Sequence, residues 1–406
     1  MPFGRICERG QGDEAWEWRR AIQGSEAQAC WEGGWACRPP TPNVNPVTVS
    51  LKTGSAMARV TAATAAPRPV IVVPGIGGSL LSRGRARRNA WFTSRMLLDP
   101  GAWMRDVDVL YGGGRFSPLN PLRTHDFGGV GGICELVSIG DIVPFAGGRD
   151  TDRLLARAVG IQPYDGLVAG LRKAGVRVAG APYDFRTILD PVVFHRYARD
   201  LTRLIRACER PPVLVTHSMG SVVAAAVLAR SDAPCHAVID VCPAYGGSWA
   251  ASSAMRRGNT YVPLKDEGLR ARAALTARRT AGLVLALPNP LAFPRPWADG
   301  DVGHRRLTSG AWRAAALPLI EDAARIVRSG APPYGAAHTV VLSDRVEDTP
   351  CGPDPGDVAP GDGLLLPASA LCVTSDRARV LFVAEHHRTA ASCAATVRLA
   401  KRAAFE

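Results

Sequence analysis

Lysine is nearly missing from this chain of 406 residues: of its 49 basic residues only four are Lys, at 52, 173, 265 and 401. The net charge of +13 is therefore carried by arginine, dispersed except for the short cluster GRARR at 84–88. A nucleic-acid-binding domain gathers its basic residues on one face or in a recognisable motif, and neither pattern occurs, so nucleic acid is excluded as the expected partner. A dispersed positive charge is compatible with attraction to an anionic lipid surface, which needs only a positive face. There is no run of about 18 apolar residues, which excludes an expected transmembrane helix. The first twenty residues, MPFGRICERGQGDEAWEWRR, lack the apolar stretch of a signal peptide. The ten cysteines include no C-x-x-C pair, so neither a zinc site nor any other metal or cofactor is expected. Cysteines inside apolar segments act as small hydrophobes, and an intracellular, reducing compartment is the corresponding expectation for a soluble or peripherally membrane-associated protein.

What is present is enough apolar material, 47% of the residues, to build a large core. Residues 1–66 mix Trp, Gly, Pro and charge without period and are expected to form a poorly ordered extension; Met57 stands as an alternative start. From residue 67 the pattern becomes an alternation of strands and helices. PVIVV (69–73), VRVAGAPYDF (176–185), PVLVT (212–216), HAVIDV (236–241), HTVVLS (338–343) and ARVLFVA (378–384) read as strands. DGLVAGLRKAG (165–175), DPVVFHRYARDLTRLIRAC (190–208), SVVAAAVLAR (221–230) and the terminal SCAATVRLAKRAA read as helices. Such alternation predicts an α/β fold, a mostly parallel sheet with helices on both faces over 67–406. Two long excursions, about 82–150 and about 248–335, are expected to be a lid and a cap over a ligand site.

The segment PPVLVTHSMGSVVAAAVLAR (211–230) places Ser218 between an apolar strand and a helix of small residues. That is the layout of a nucleophile elbow, in which small residues two before and two after the serine let strand and helix backbones approach. Gly220 fits, while Thr216 stands where glycine is usual. A serine hydroxyl needs a base to take its proton and a third group to orient that base. The elbow makes the expected fold of the α/β-hydrolase kind, in which the chain order is Ser, acid, His. His386 and His387 follow the last strand, where a base must sit to reach back over the sheet edge. Asp357 and Asp362 lie in the loop before it. Asp362, in a Gly-Asp-Gly turn at 361–363, is the expected acid, exposed at the end of its loop. The oxyanion donors expected are the amides of Met219 and, from the glycine-rich loop VVPGIGGSLL (72–81), of Ile76. No G-K-[ST] follows that loop, which argues against a phosphate site.

PVIVVPGIGGSLL, APYDFR (181–186), PVLVTHSMGS, PAYGGS (243–248), PGDGLLLPAS and EHH together resemble the lecithin:cholesterol acyltransferase family, which includes phospholipid:diacylglycerol acyltransferases and lysosomal-type phospholipases A2. The likeness spans roughly residues 69–400. It implies Ser218 as nucleophile, Asp362 as acid and His386, or alternatively His387, as base; the family's Glu before the base, matched by Glu385, favours His386, and the apolar spacing into the final helix favours His387. It also implies an Asp184–Arg186 contact of architectural kind. The activity implied is transfer of a fatty acyl group from a phospholipid, through an acyl-serine, to a sterol- or diacylglycerol-type alcohol at a lipid surface. The alternatives are a phospholipase or esterase that uses water, and a lipid-binding pseudoenzyme. The chain departs from the family at Thr216 and at the cysteines of its lid and of the Cys372 region, for which Cys351 is the nearby substitute. Trp91, Phe92 and Trp103 are the candidates for lipid contact or for core beneath the lid.

Overall fold

The computed structural model describes residues 66–83, 88–89, 99–112, 115–118, 123–126, 163–258, 264–293, 311–335, 337–352 and 356–406. The chain divides into two units at Ala66/Pro67. The 1–66 extension, apart from Ala66, lies outside the described residues, as do most of 82–150, Trp91, Phe92 and Cys134.

Six strands form the central sheet and are numbered here in chain order. They are β1 (Val70–Val73), β2 (Val178–Gly180), β3 (Val213–His217), β4 (Ala237–Val241), β5 (His338–Leu342) and β6 (Arg379–Phe382). The order across the sheet is β6-β5-β4-β3-β1-β2. All five pairings are parallel, so the chain is an α/β protein. Ten described helices accompany it: α1 (Pro100–Val107), α2 (Asp165–Lys173), α3 (Pro191–Arg206), α4 (Met219–Leu228), α5 (Trp249–Arg257), α6 (Glu267–Arg279), α7 (Ala281–Leu285), α8 (Ala311–Ser329), α9 (Pro367–Leu371) and α10 (Ala394–Phe405).

Alternate residues of a strand face opposite sides, and β1 shows why its run is apolar throughout. Ile71 and Val73 enter one core with Phe194 and Leu201 of α3, Val222 and Val223 of α4 and Leu319 of α8. Val70 and Val72 enter the other with Leu167 and Leu171 of α2 and Ala400 and Ala404 of α10. Both faces are thus covered. The strand expected over 176–185 is shorter. Ala181 N–H still bonds Val72 O at 2.8 Å, but Pro182 has no N–H to continue the ladder and the chain turns. Asp190 then caps α3, accepting from Val192 N–H, with Pro191 at the first helical position.

The chain leaves β1 for β2 on one side and returns to β3 on the other, so the order reverses between β1 and β3. A parallel sheet binds ligands in the crevice at the carboxyl ends of strands at such a point. The PGIGG loop and Ser218 follow those two strands. Trp103, in α1, is half-buried and packs against the core. Among the described residues no helix is long and apolar enough to cross a membrane.

The crevice floor tolerates no added atoms. A Cβ on Gly220 would lie 2.3 Å from Pro74 O and 2.7 Å from Val73 O, both backbone. Gly220→Ala is expected to cost about 2–3 kcal/mol in urea unfolding. Gly356→Ala, whose Cβ would meet nothing within 4 Å, should stay within about 0.5 kcal/mol of the parent.

Candidate active site

Ser218 occupies the sharp junction between β3 and α4 with φ 57° and ψ −129°. A positive φ is strained for any residue with a Cβ. Among the described non-glycine residues only Ser218 and Cys242 adopt it. The strain is held by neighbours. Ser218 N–H donates to Val241 O at 3.0 Å, and Ser218 O accepts from Ser221 N–H at 3.1 Å and Ala244 N–H at 3.2 Å. Ser218 is half-exposed while the residues on either side of it are buried. The first amides of α4, Met219 foremost, have no intrahelical acceptor and lie at the positive end of the helix dipole. Met219 itself is buried, its side chain close to Gly282 of α7. Ile76 lies in the turn after β1, half-exposed.

The acid and the imidazole meet. Asp362 Oδ2 accepts from His387 Nδ1–H at 2.6 Å, while Oδ1 accepts from Leu364 N–H at 2.9 Å and Leu365 N–H at 2.7 Å. The backbone locks the pair a second time, His387 N–H donating to Asp362 O at 2.8 Å. Burial pushes the Asp362 carboxyl up, but the charge and hydrogen bond of His387, with the two amides, outweigh it and hold the group below the usual carboxylate range. Two expectations are corrected here. The residue paired with Asp362 is His387 and not the favoured His386, which is exposed. Glu385, the reason for favouring His386, accepts from Thr389 Oγ1 at 2.8 Å and so closes the local turn. Asp362 is not exposed at its loop end but only 2% accessible, because Gly361 packs its backbone against Leu365 O and Thr349. Asp357 lies elsewhere, its carbonyl accepting from Cys351 N–H at 2.9 Å.

Ser218 enters the described hydrogen bonds through its backbone, and the Asp362–His387 pair is held against the elbow by its neighbour. His217 donates from Nε2 to His387 O at 2.9 Å, with ring centroids 4.8 Å apart. Burial, and after it the nearby His387, lowers His217 to about 3. It is neutral at ordinary pH.

A buried network beneath the elbow explains the threonine in place of glycine. Asp240 Oδ1 accepts from Thr216 Oγ1, and Oδ2 accepts from Tyr245 OH at 2.7 Å and from His338 Nε2–H at 2.8 Å. With the Thr216 proton committed to the carboxylate, Ser221 Oγ donates to Thr216 Oγ1 at 2.7 Å. Sequence reading reached none of Asp240, Tyr245 or His338 as a set, since Asp240 and His338 look like isolated polar residues on strands and Tyr245 lies in the turn that follows. The Asp184–Arg186 contact forms at 2.8 Å with Arg186 wholly buried. The carbonyls of Phe185 and Arg186 accept from Gly282 and Ala281 N–H, which docks α7 beside Met219. Its role is architectural.

Cys242, Asp362 and His387 offer donor atoms within 4.8 Å of one another, a spacing that a cation could use. The proton that lets Nδ1 bridge to Asp362 occupies that nitrogen's lone pair, so ligation through Nδ1 would cost the hydrogen bond. Burial, then the Asp362 charge, pushes the Cys242 thiol well up. The described cysteines, Cys351 and Cys372 included, are all free thiols.

Two measurements test these contacts. Unfolded, His217 takes a proton near its ordinary 6.5, whereas folded it resists until about 3. The unfolded chain therefore binds more protons between those values, and stability falls as pH drops from 6.5 towards 3 by roughly 4–5 kcal/mol. A urea series across that window should show a shallower slope for His217→Gln. Thr216→Val, which keeps the shape and leaves Asp240 one donor short, should lose about 1–3 kcal/mol at neutral pH.

No protein-family model matches the chain, and no curated protein matches it. Among solved structures, the one described as the crystal structure of the Tle4-Tli4 complex is similar at a TM-score of 0.45 and 12% identity, over 84% of this chain and 98% of that chain.

Proposed function

We propose that this protein transfers acyl groups between oxygen atoms through a covalent acyl-Ser218. The observation that carries the proposal is the buried Asp362–His387 pair held beside a serine on a strained strand-to-helix turn. With Nδ1–H committed to Asp362, Nε2 is the His387 nitrogen left to act as base. In the proposed first step Nε2 takes the Ser218 proton as Oγ bonds the acyl carbon, and the contact tightens when substrate closes over the elbow. The Met219 and Ile76 amides receive the oxyanion. Collapse breaks the bond to the leaving alcohol, which recovers the proton from Nε2. A second hydroxyl then gives its proton to Nε2 of His387 and bonds the acyl carbon, and as the bond to Ser218 Oγ breaks, Oγ takes that proton back from Nε2.

The resemblance to the lecithin:cholesterol acyltransferase family supports a phospholipid as acyl donor and a sterol- or diacylglycerol-type alcohol as acceptor. The positive charge of the chain supports work at an anionic lipid surface. With water as acceptor the same steps give a phospholipase. A pseudoenzyme would bind lipid without turnover.

A fluorophosphonate probe should label the wild type at Ser218 and leave Ser218→Ala unlabelled. Ser218→Ala and His387→Ala should each lose about 10⁴–10⁶ in kcat on an acyl ester, while His386→Ala stays within about threefold, less than 1 kcal/mol in barrier height. Full activity in Ser218→Ala would end the proposal. Labelled phospholipid offered with sterol or diacylglycerol should yield acylated acceptor in excess of free fatty acid; the reverse ratio assigns a phospholipase.

A further inference from the structure

Three loops that carry the proposed chemistry are joined by one chain of hydrogen bonds running through two side chains that have no step in it. Gly75 N–H donates to Tyr164 Oη at 2.9 Å, Tyr164 Oη lies 3.0 Å from His217 Nδ1, and His217 Nε2 lies 2.9 Å from His387 O. Its polarity is settled by chemistry. A carbonyl only accepts, so Nε2 of the neutral imidazole bears the proton and Nδ1 is bare. The Tyr164 proton then points to Nδ1, and the phenol oxygen is left to receive the Gly75 amide. No other arrangement satisfies all four groups, and both side chains are buried, Tyr164 being 1% accessible.

The glycines of PGIGG record the same packing. A Cβ on Gly75 would meet Ser218 Cβ at 2.8 Å and His217 Nδ1 at 3.2 Å, and one on Gly78 would meet Tyr164 Oη at 2.8 Å. Gly77, between them, has φ 75°. The loop is therefore wrapped around the Tyr164 hydroxyl and cannot close on it with side chains in the way. Gly75 precedes Ile76, His217 precedes Ser218, and His387 is the base, so each end of the chain is one residue or less from a group in the reaction.

We propose that Tyr164 and His217 are positioning residues. They set the separation of oxyanion donor, nucleophile and base by tying their three loops to one another, and they touch no reacting atom. The inference rests on the reading of Ser218 as nucleophile.

Tyr164→Phe removes one hydroxyl and no volume. With the Gly75 amide and His217 Nδ1 both deprived of a partner, kcat and the rate of fluorophosphonate labelling should fall about 10- to 100-fold with KM changed less than about twofold. Tyr197→Phe is the matched control, since it deletes another buried tyrosine hydrogen bond, 3.0 Å to Ala181 O. It should lower stability without slowing labelling. His217→Leu breaks the chain at its centre, and His217→Gln restores a donor towards His387 O, so kcat should rank wild type, Gln, Leu. If folded Tyr164→Phe labels as fast as the wild type, the inference is overturned. If Tyr164→Phe does not fold, the Gln and Leu pair decides, and equal rates in those two overturn it. A wild type that the probe does not label would instead remove the reading of Ser218, which separates the two failures.

Discussion

The left-handed backbone at Ser218 is the constraint from which the rest of this site is built. A residue with a Cβ at φ 57° carries strain of about 1–3 kcal/mol and persists only where its surroundings over-determine it. Here β4 and the start of the PAYGGS segment accept and donate to its backbone from one side. From the other side the PGIGG loop comes so close that Gly75 and Gly220 cannot bear a side chain. The same approach demands glycine at 220 in the first turn of α4, a helix whose residues are all buried. The strain lifts Ser218 out of both strand and helix and leaves it half-exposed at the carboxyl edge of the sheet.

Burial sets the second requirement. Around the elbow lie two polar networks with almost no access to water, and a network half-satisfied in a low dielectric is costlier than none. Asp240 below the elbow is answered by Thr216, Tyr245 and His338. Asp362 above it is answered by His387 and two amides. In both cases the carboxylate fixes the direction of every proton around it. The threonine that stands where a nucleophile elbow usually has glycine is thus a donor to the buried Asp240 side chain, and the steric demand at that position is met by its compactness. PAYGGS obeys a similar logic: Tyr245 reaches Asp240, while Gly247, at φ 82°, would drive a Cβ to 2.0 Å from Leu287 O.

The strand and helix pattern was legible because both faces of the sheet are buried, so periodicity and apolar runs survive in the linear chain. The error over 176–185 came from extending an apolar run through Pro182, whose missing N–H ends the ladder. Ser218 was legible because a strand, a tight turn and a small-residue helix leave a local mark. Asp362 was legible through its flanking glycines, although burial, and not exposure, is what those glycines serve. His386 and His387 are neighbours of one type in an irregular segment, and only the packing shows that one faces solvent and the other the carboxylate.

The sequence by itself determined the α/β alternation, the strand-turn-helix junction at Ser218 and the chain order Ser218, Asp362, His386–His387, because each depends on residues adjacent in the chain or on spacing along it. The tertiary structure alone decided that His387 is the partner of Asp362, that Thr216 serves Asp240, and that Tyr164 joins Gly75 to His217. Those contacts form between residues 24 to 89 positions apart, where hydrogen-bond direction and burial, which no local pattern encodes, choose the partner.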